Sequence, residues 1–310
     1  MSEDDDMTMD ADFKRYKELV DEHLLDFMPD IDAKTITLYD AMKYSLTAGG
    51  KRIRPALLLG ACEFCGGDVS AALPYACALE YIHTYSLIHD DLPCMDDDEL
   101  RRGMPTNHMV YGAGIATLAG DGLLSAAFES MNMDMLMYLD NKDELTKRVK
   151  ASYEISKGAG VRGMVAGQVS DLEAEGHSIT LEMLDYINLN KTGAMIKAAV
   201  KAGADLGGGD AKITSDLNDY AENLGLAFQV RDDILDITGN VKDLGKNTGM
   251  DAEMDKSNYP AIFGLDKSYE KMEKHLDLAY ASIASYYDNA EFFYHLLDML
   301  ELREREKVRH

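Results

Sequence analysis

Hydrophobic residues recur along most of this 310-residue chain at the three- to four-residue spacing that is typical of α-helices. Glycine pairs, proline turns and polar clusters separate the apolar segments, and we find no convincing run of the alternation that predicts strands. No linker divides the sequence, so we expect one all-α domain over residues 1–310. The pattern predicts helices at roughly 12–28, 37–47, 55–65, 70–92, 115–139, 143–158, 161–174, 181–206, 213–237, 259–287 and 290–306.

Two of these helices, 70–92 and 213–237, are apolar on more than one face. A surface helix buries a single apolar stripe, so both are expected to be central and buried. Residues 1–10 are acidic instead, and we expect them to be disordered.

The formal net charge of −25 argues against nucleic acid or an anionic membrane as a main partner, because both repel an acidic surface. No apolar run approaches the roughly 20 residues that a membrane span needs. The first residues lack the basic and apolar regions of a secretion signal. Four cysteines in such a chain are typical of reduced thiols, so a cytoplasmic location is expected.

Two clusters of aspartates lie at the ends of apolar helical segments, at 90–98 and at 232–236. Asp232 and Asp236 are four residues apart and therefore share one helix face. Carboxylates this close repel each other in apolar surroundings unless a cation neutralises them. Mg²⁺ prefers oxygen ligands and often shares its coordination with substrate phosphates. We therefore interpret the clusters as two halves of one metal site.

The first cluster does not fit a straight helix. Asp90 and Asp96 are six residues apart, about 240° around a helix, and so would lie on different faces. Pro93 interrupts the helical hydrogen bonds, which favours a break at 92–95 that brings Asp96 back toward Asp90. On a straight helix Asp97 would share the face of Asp90 instead, and the spacing alone leaves both arrangements open.

Basic residues adjoin both clusters, in a chain that is otherwise strongly acidic. A glycine turn leads into a helix N-terminus at 49–55, which combines free N–H groups with cationic side chains and so suits an anion. Together these features predict a site for two phosphorylated groups. Neither a Walker A motif nor an EF-hand pattern is present. The basic residues are Lys51, Arg54, Arg101, Arg102, Lys242, Lys246 and Lys256.

Several motifs in one order resemble those of the trans-isoprenyl diphosphate synthases, and within that family the bacterial farnesyl diphosphate synthases. The resemblance covers nearly the whole chain, from about Leu38 to Leu302. The motifs are GGKRIRP at 49–55, HTYSLIHDDLPCMDDDELRRGMPTNH at 83–108, AGDGLL at 119–124, GQVSDLEAEG at 167–176, KTGAMIKAAV at 191–200, GLAFQVRDDILDITG at 225–239 and an LGK…K…YP series that ends at Pro260.

The resemblance implies a bundle of long helices around a deep apolar cavity, usually a homodimer, with three Mg²⁺ ions in each active site. The implied metal ligands are Asp90, Asp91, Asp96, Asp232, Asp233 and Asp236. The residues implied for isopentenyl diphosphate are Lys51, Arg54, His83 and Arg102, and those for the allylic diphosphate and the developing cation are Arg101, Lys191, Thr192, Gln229, Lys246 and Lys256. The catalytic set comprises Asp90, Asp91, Asp96, Arg101, Lys191, Thr192, Gln229 and Asp232.

The implied reaction condenses isopentenyl diphosphate with dimethylallyl or geranyl diphosphate through an allylic carbocation. Tyr85 lies five residues before Asp90, about 7.5 Å along a helix axis, where its ring could close the cavity below the growing chain. Ser86 beside it leaves room. In the resembling family an aromatic residue here, with the Pro-bearing insertion before Asp96, accompanies a C15 product, although core packing alone also explains Tyr85.

Three other functions are compatible with part of this pattern. A geranylgeranyl diphosphate synthase has the same chemistry and a deeper cavity. A terpene cyclase would carry an NDxxSxxxE-type second motif, which we do not find. A non-catalytic regulatory subunit of a prenyl synthase would be expected to have damaged acidic motifs, and both motifs are intact here.

Overall fold

A computed structural model of the chain describes residues 11–30, 32–238 and 258–301. These residues form helices, apart from one hairpin of two two-residue strands, β1 (Leu100–Arg101) and β2 (Met104–Pro105), paired antiparallel. The predicted all-α class is confirmed. The hairpin escaped prediction because strands this short leave no alternating pattern to detect.

The chain divides into two compact units, with boundaries after Ile155, Lys201 and Gly209. The predicted single-domain organisation stays a prediction. Among the described residues, the first unit comprises 11–155 and 202–209, and the second comprises 156–201 and 210–301. The helices are α1 (Ala11–His23), α2 (Ile36–Leu46), α3 (Ile53–Phe64), α4 (Val69–Asp90), α5 (Asn107–Tyr111), α6 (Ala113–Leu136), α7 (Lys142–Ala159), α8 (Met164–Ala174), α9 (Leu181–Asn188), α10 (Ala194–Gly207), α11 (Ala211–Thr238), α12 (Tyr259–Phe263), α13 (Leu265–Ile283) and α14 (Glu291–Asp298), with short 3₁₀ segments at Ala33–Thr35 and Ala284–Asn289.

Helix α4 is the centre of the first unit. Its N-terminus is capped by Asp68, whose side chain accepts a hydrogen bond from the Ser70 N–H, and its residues are buried on all faces. It packs against α3 and α6. The prediction that segment 70–92 is central and buried is therefore confirmed, and the structure places the end of the helix at Asp90.

Helix α11 has the corresponding role in the second unit, where it packs along α13. Tyr220 is fully buried, and its hydroxyl donates to the Phe293 carbonyl oxygen. The burial of residues along both halves of α11 agrees with the two-faced apolar pattern of 213–237.

Two predicted helices are interrupted in the second unit. Segment 181–206 is split by a π-helical turn, Leu189–Gly193, where α8 approaches so closely that a Cβ on Gly167 would lie 2.1 Å from the Lys191 nitrogen. Segment 259–287 is split at Gly264, which has a positive φ of 82° that terminates α12. Within the described ranges, no helix is both long and apolar enough to cross a bilayer.

Candidate active site

The first acidic motif follows the C-terminus of α4. The chain turns at 91–97, and the Asp96 N–H donates to the Asp90 carbonyl oxygen at 2.9 Å. This confirms the predicted break at 92–95 and brings Asp96 back to Asp90. Asp97 adopts a left-handed conformation, with φ 53°, and its side chain is exposed beside His108. Asp90 and Asp96 are both partly accessible to solvent.

Asp91 differs from its neighbours because its carboxylate is buried and bound by Arg101. Arg101 Nε donates to the two Asp91 oxygens at 2.7 and 2.9 Å, and Nη2 lies 2.5 Å from Oδ1. Burial raises the pKa of Asp91 although Arg101 opposes that shift. Asp91 therefore anchors the arginine-bearing hairpin, and its negative charge is largely compensated.

The glycine turn at 49–50 is in contact with Arg102 of the β1–β2 hairpin. Arg102 Nη1 donates to the Gly49 carbonyl oxygen. A Cβ on Gly50 would lie 2.9 Å from Arg102 Nη1, so a side chain there would displace the guanidinium. Two glycines with positive φ therefore allow the turn and the hairpin to come together.

Arg52 stabilises the same turn from the interior of the first unit. It is buried in a left-handed conformation, with φ 53°, and forms ion pairs with Glu80 and, at 2.8 Å, with Asp21. It also donates to the Leu46 carbonyl oxygen at 2.9 Å. Arg52 was not among the predicted site residues, because only the fold reveals that Glu80 of α4 is its partner.

Arg54, His83 and Arg102 form a cationic cluster in the first unit. The Arg54 Nε is shielded from solvent and has no hydrogen-bond partner among the described residues. Burial lowers the pKa of Arg54 and of Arg102, the charge of Glu80 opposes this shift in both, and the charge of Arg102 lowers the pKa of Arg54 further. Burial and the charges of Arg54 and Arg102 also lower the pKa of His83 well below its ordinary value. Lys51 lies exposed at the start of the segment. Such a cluster is suited to a multiply charged anion.

The second unit contains a separate polar cavity of ≈140 Å³. Lys191 and Thr192 reach it from the π turn, and Gln229 and Asp233 reach it from α11. Lys191 Nζ pairs with Asp171 Oδ2 at 2.5 Å. Asp171 was not among the predicted site residues; its position in the GQVSD segment was the only signal for it.

The three aspartates of the second motif differ in environment. Asp233 is buried, and its oxygens accept from the Tyr259 N–H at 3.0 Å and from Gln229 Nε2 at 3.3 Å. The Asp232 side chain is 47% exposed and Asp236 is partly exposed. Lys242, Lys246 and Lys256 lie outside the described residues.

Tyr85 lies on α4, five residues before Asp90 in the direction of the helix N-terminus. Its side chain is 8% exposed, and its ring meets the His89 ring edge to face, with centroids 5.6 Å apart. Burial and the nearby Asp90 raise the pKa of the Tyr85 hydroxyl. The Ser86 hydroxyl donates to the His83 carbonyl oxygen within the helix, so it leaves the adjoining space open.

Comparisons with known proteins give one consistent family. Residues 36–297 match the model of the polyprenyl synthetase family. The farnesyl diphosphate synthase of Geobacillus stearothermophilus is 51% identical over 243 residues, which cover 78% of this chain and 80% of that protein. The heterodimeric geranylgeranyl pyrophosphate synthase large subunit 1 of Arabidopsis thaliana is 50% identical over 244 residues, covering 77% of this chain and 64% of that protein. The apo crystal structure of an FPP/GFPP synthase from Zymomonas mobilis aligns with a TM-score of 0.81 and 31% identity, covering 93% of this chain and 97% of that one.

Proposed function

We propose that this chain, which belongs to the polyprenyl synthetase family and is a trans-prenyltransferase, condenses isopentenyl diphosphate with dimethylallyl and geranyl diphosphate to give farnesyl diphosphate. The family assignment supports isoprenyl diphosphates as substrates. The observation that carries the C15 product is the buried Tyr85 ring below Asp90 on α4.

Isopentenyl diphosphate would bind to the cationic cluster of the first unit. The Arg54 Nε, which has no hydrogen-bond partner among the described residues, supports this assignment, because a diphosphate oxygen could accept a hydrogen bond from it. Lys51 and His83 would complete its charge and hydrogen bonds. The allylic diphosphate is assigned to Arg101, Lys191, Thr192 and Gln229, and to Lys246 and Lys256 from the part of the chain that is not described.

Members of this family use Mg²⁺ to bind diphosphates. The residues present fit such ions: Asp90 and Asp96 are held close by a backbone hydrogen bond, and both carboxylates are partly accessible. Among the residues that the structure describes, no three His, Cys, Asp or Glu side chains converge on one point. Two carboxylates that share the ion with substrate phosphates and water meet the usual requirement for Mg²⁺.

The aspartates divide into two groups under this proposal. Asp90, Asp96, Asp232 and Asp236 would be the main metal ligands because each is partly accessible to solvent, whereas Asp91 and Asp233 are buried and would support them. The number of three ions per site is part of the proposal. When bound, Mg²⁺ supplies positive charge that stabilises the departing diphosphate.

The protein's own side chains would contribute to the reaction by binding and orienting the two substrates. Lys191, held by Asp171, and Arg101, held by Asp91, would carry fixed positive charge toward the allylic diphosphate as its C–O bond breaks. The proposal requires apolar walls that would exclude water from the allylic cation. The double bond of isopentenyl diphosphate attacks the cation, a C–C bond forms and a proton leaves; we assign no side chain as its acceptor.

A product analysis of Tyr85→Ala tests the assignment of chain length. The wild-type protein, supplied with isopentenyl and dimethylallyl diphosphates and Mg²⁺, should release mainly C15 prenols after dephosphorylation. Removing the ring should shift the product to C20 or longer. Tyr85→Phe keeps the ring and is the matched control, for which a C15 product is expected. A C15 product from Tyr85→Ala would refute the assignment.

The second candidate product is geranylgeranyl diphosphate, which the Arabidopsis relative at 50% identity favours. It predicts a dominant C20 product from the wild-type protein in the same assay. A folded protein that formed no product would instead support a regulatory subunit. A cytoplasmic location stays a prediction.

We also propose a homodimer. Helix α6 exposes Leu118 at 54%, Met133 at 59% and Leu136 at 57%, which is unusual for an isolated surface helix. Leu118 and Leu136 are five helical turns apart and share one face. A dimeric mass by light scattering, reduced to the monomeric mass in Leu118→Glu, would support the proposal. A monomeric wild-type protein would refute it.

A further inference from the structure

His89 lies between helix α6 and the ring of Tyr85. Its Nε2 is 3.0 Å from the Thr117 carbonyl oxygen of α6. A carbonyl oxygen only accepts hydrogen bonds, so Nε2 carries a proton and His89 is the donor. This bond fixes the orientation of the imidazole relative to α6.

Gly120 makes this position of His89 possible. A Cβ on Gly120 would lie 2.1 Å from His89 Nε2 and 2.4 Å from Cδ2. Any side chain at 120 would therefore push the imidazole out of its place. The imidazole is thus held by its hydrogen bond to the Thr117 carbonyl oxygen and by the close approach of Gly120.

On its other side, the His89 ring contacts the ring of Tyr85. The two residues are four apart on α4 and their rings are nearly perpendicular, at 78°. An aromatic side chain on a helix has few allowed rotamers, and one neighbouring ring can decide which of them is occupied. Because α6 holds His89, the Tyr85 ring cannot turn toward it.

We propose that His89 is a positioning residue for product length: α6 fixes His89, and His89 fixes the ring of Tyr85. This inference rests on the proposed role of Tyr85 as the floor of the cavity. The hydroxyl of Tyr85 is not needed for it, because the edge-to-face contact involves the rings.

The test is the ratio of C20 to C15 product in His89→Ala, compared with wild type. Loss of an aromatic contact of this kind should raise the ratio about 2- to 10-fold. The Tyr85→Ala/His89→Ala double variant should have the ratio of Tyr85→Ala alone, because His89 acts through Tyr85. Melting temperatures verify that each variant is folded.

His89→Gln separates ring packing from the hydrogen bond, and is also the second variant should His89→Ala not fold. Glutamine can still donate to the Thr117 carbonyl but has no ring, so the ratio should rise as in His89→Ala. A wild-type ratio in His89→Gln would overturn the proposal, because the hydrogen bond would then be sufficient.

Gly120→Ala provides an independent perturbation from the other helix, since its methyl group must displace the imidazole. Its matched control is Gly114→Ala on the same helix, where a Cβ would meet nothing within 4 Å. The C20:C15 ratio should rise in Gly120→Ala and remain at the wild-type value in Gly114→Ala. Equal ratios in the two variants would contradict the proposal.

Two failures are distinguishable. If Tyr85→Ala leaves the product at C15, the proposed floor is wrong and the role of His89 fails with it. If Tyr85→Ala lengthens the product but His89→Ala keeps the wild-type ratio, or lengthens the product further in the Tyr85→Ala background, the floor stands and the positioning role of His89 is refuted.

Discussion

Replacing Arg54 with methionine should weaken substrate binding without weakening the fold. The guanidinium of Arg54 is desolvated and its Nε has no hydrogen-bond partner in the described part of the chain, while the charge of Glu80 favours its charged form and that of Arg102 opposes it. Removing a desolvated charged group that lacks a hydrogen bond also removes its desolvation cost, so an apolar side chain of similar length should be tolerated. Methionine and arginine also have similar helix propensities, so α3 should persist.

The size of the binding defect follows from the lost interaction. A hydrogen bond to a charged group contributes about 1.5–3 kcal/mol. At about 1.4 kcal/mol for each factor of ten, the KM for isopentenyl diphosphate should rise about 10- to 140-fold in Arg54→Met. The free energy of unfolding in urea should be equal to the wild-type value or higher.

Steady-state kinetics with varied isopentenyl diphosphate and urea denaturation measure both quantities. Inorganic pyrophosphate should raise the melting temperature of the wild-type protein more than that of Arg54→Met. Arg15→Met is the matched control, because the Arg15 side chain is 43% exposed and pairs with Glu63 at the surface. A variant of Arg54 that lost stability and kept its KM would refute the reasoning, since Arg54 would then be a structural residue.

Three further predictions concern the metal site, the core and the acid limb of stability. Asp90→Ala should lose most of its activity and still melt cooperatively, because alanine keeps the backbone carbonyl group that accepts the hydrogen bond of the turn. Gly203→Ala should destabilise the protein by about 1–3 kcal/mol in urea, because its methyl group would lie 2.1 Å from the Leu58 carbonyl oxygen. The hydrogen bond from Lys147 lowers the pKa of Glu144 below its ordinary 4.5. Glu144 therefore stabilises the fold above about pH 4.5 and contributes less at lower pH. The difference in unfolding free energy between wild type and Glu144→Gln should shrink below that pH.

Each of these has a clear contrary result. Normal turnover in Asp90→Ala would remove the first motif from the metal site. Gly114→Ala, with no atom near the added methyl group, should have about wild-type stability, and an equal loss in both glycine variants would exclude the close approach at Gly203 as the cause. A stability difference that grew with acidity in Glu144→Gln would have the wrong sign for a lowered pKa.

The helices that pack on two faces were the easiest to predict from the sequence. In α4 and α11 the apolar residues cover more than one stripe, and this composition is itself the signal for burial. The π turn at Leu189–Gly193 could not be predicted in the same way. Its cause is the approach of α8 at Gly167, a tertiary contact between segments that are far apart in the sequence. The end of α12 at Gly264 has a local cause, the positive φ of this glycine, and a glycine can be recognised in the sequence.

The site follows the same division between local and long-range causes. Pro93 predicts the break after Asp90 because proline acts on its own backbone and that of the preceding residue. Nothing local distinguishes Asp91 from its neighbours, however, and only the fold brings Arg101 to it. The same holds for Asp233, whose partner Tyr259 lies 26 residues further along the chain. Adjacent carboxylates of one motif therefore have different partners for reasons that spacing does not contain.

The distribution of charge connects these observations to substrate choice. The chain has a net charge of −25, yet Arg54, Arg102 and His83 lie together, and their pKa values are all lowered. Carboxylates are abundant in this chain and could pair with such a cluster. Arg52 and Arg101 do form such ion pairs, with Glu80 and Asp91. The cluster is left with excess positive charge that a small neutral ligand could not satisfy. A diphosphate can, because it supplies several negative charges and acceptor oxygens in one compact group. Selectivity for a diphosphate thus follows from which arginines form ion pairs within the described residues, as Arg52 and Arg101 do, and which do not.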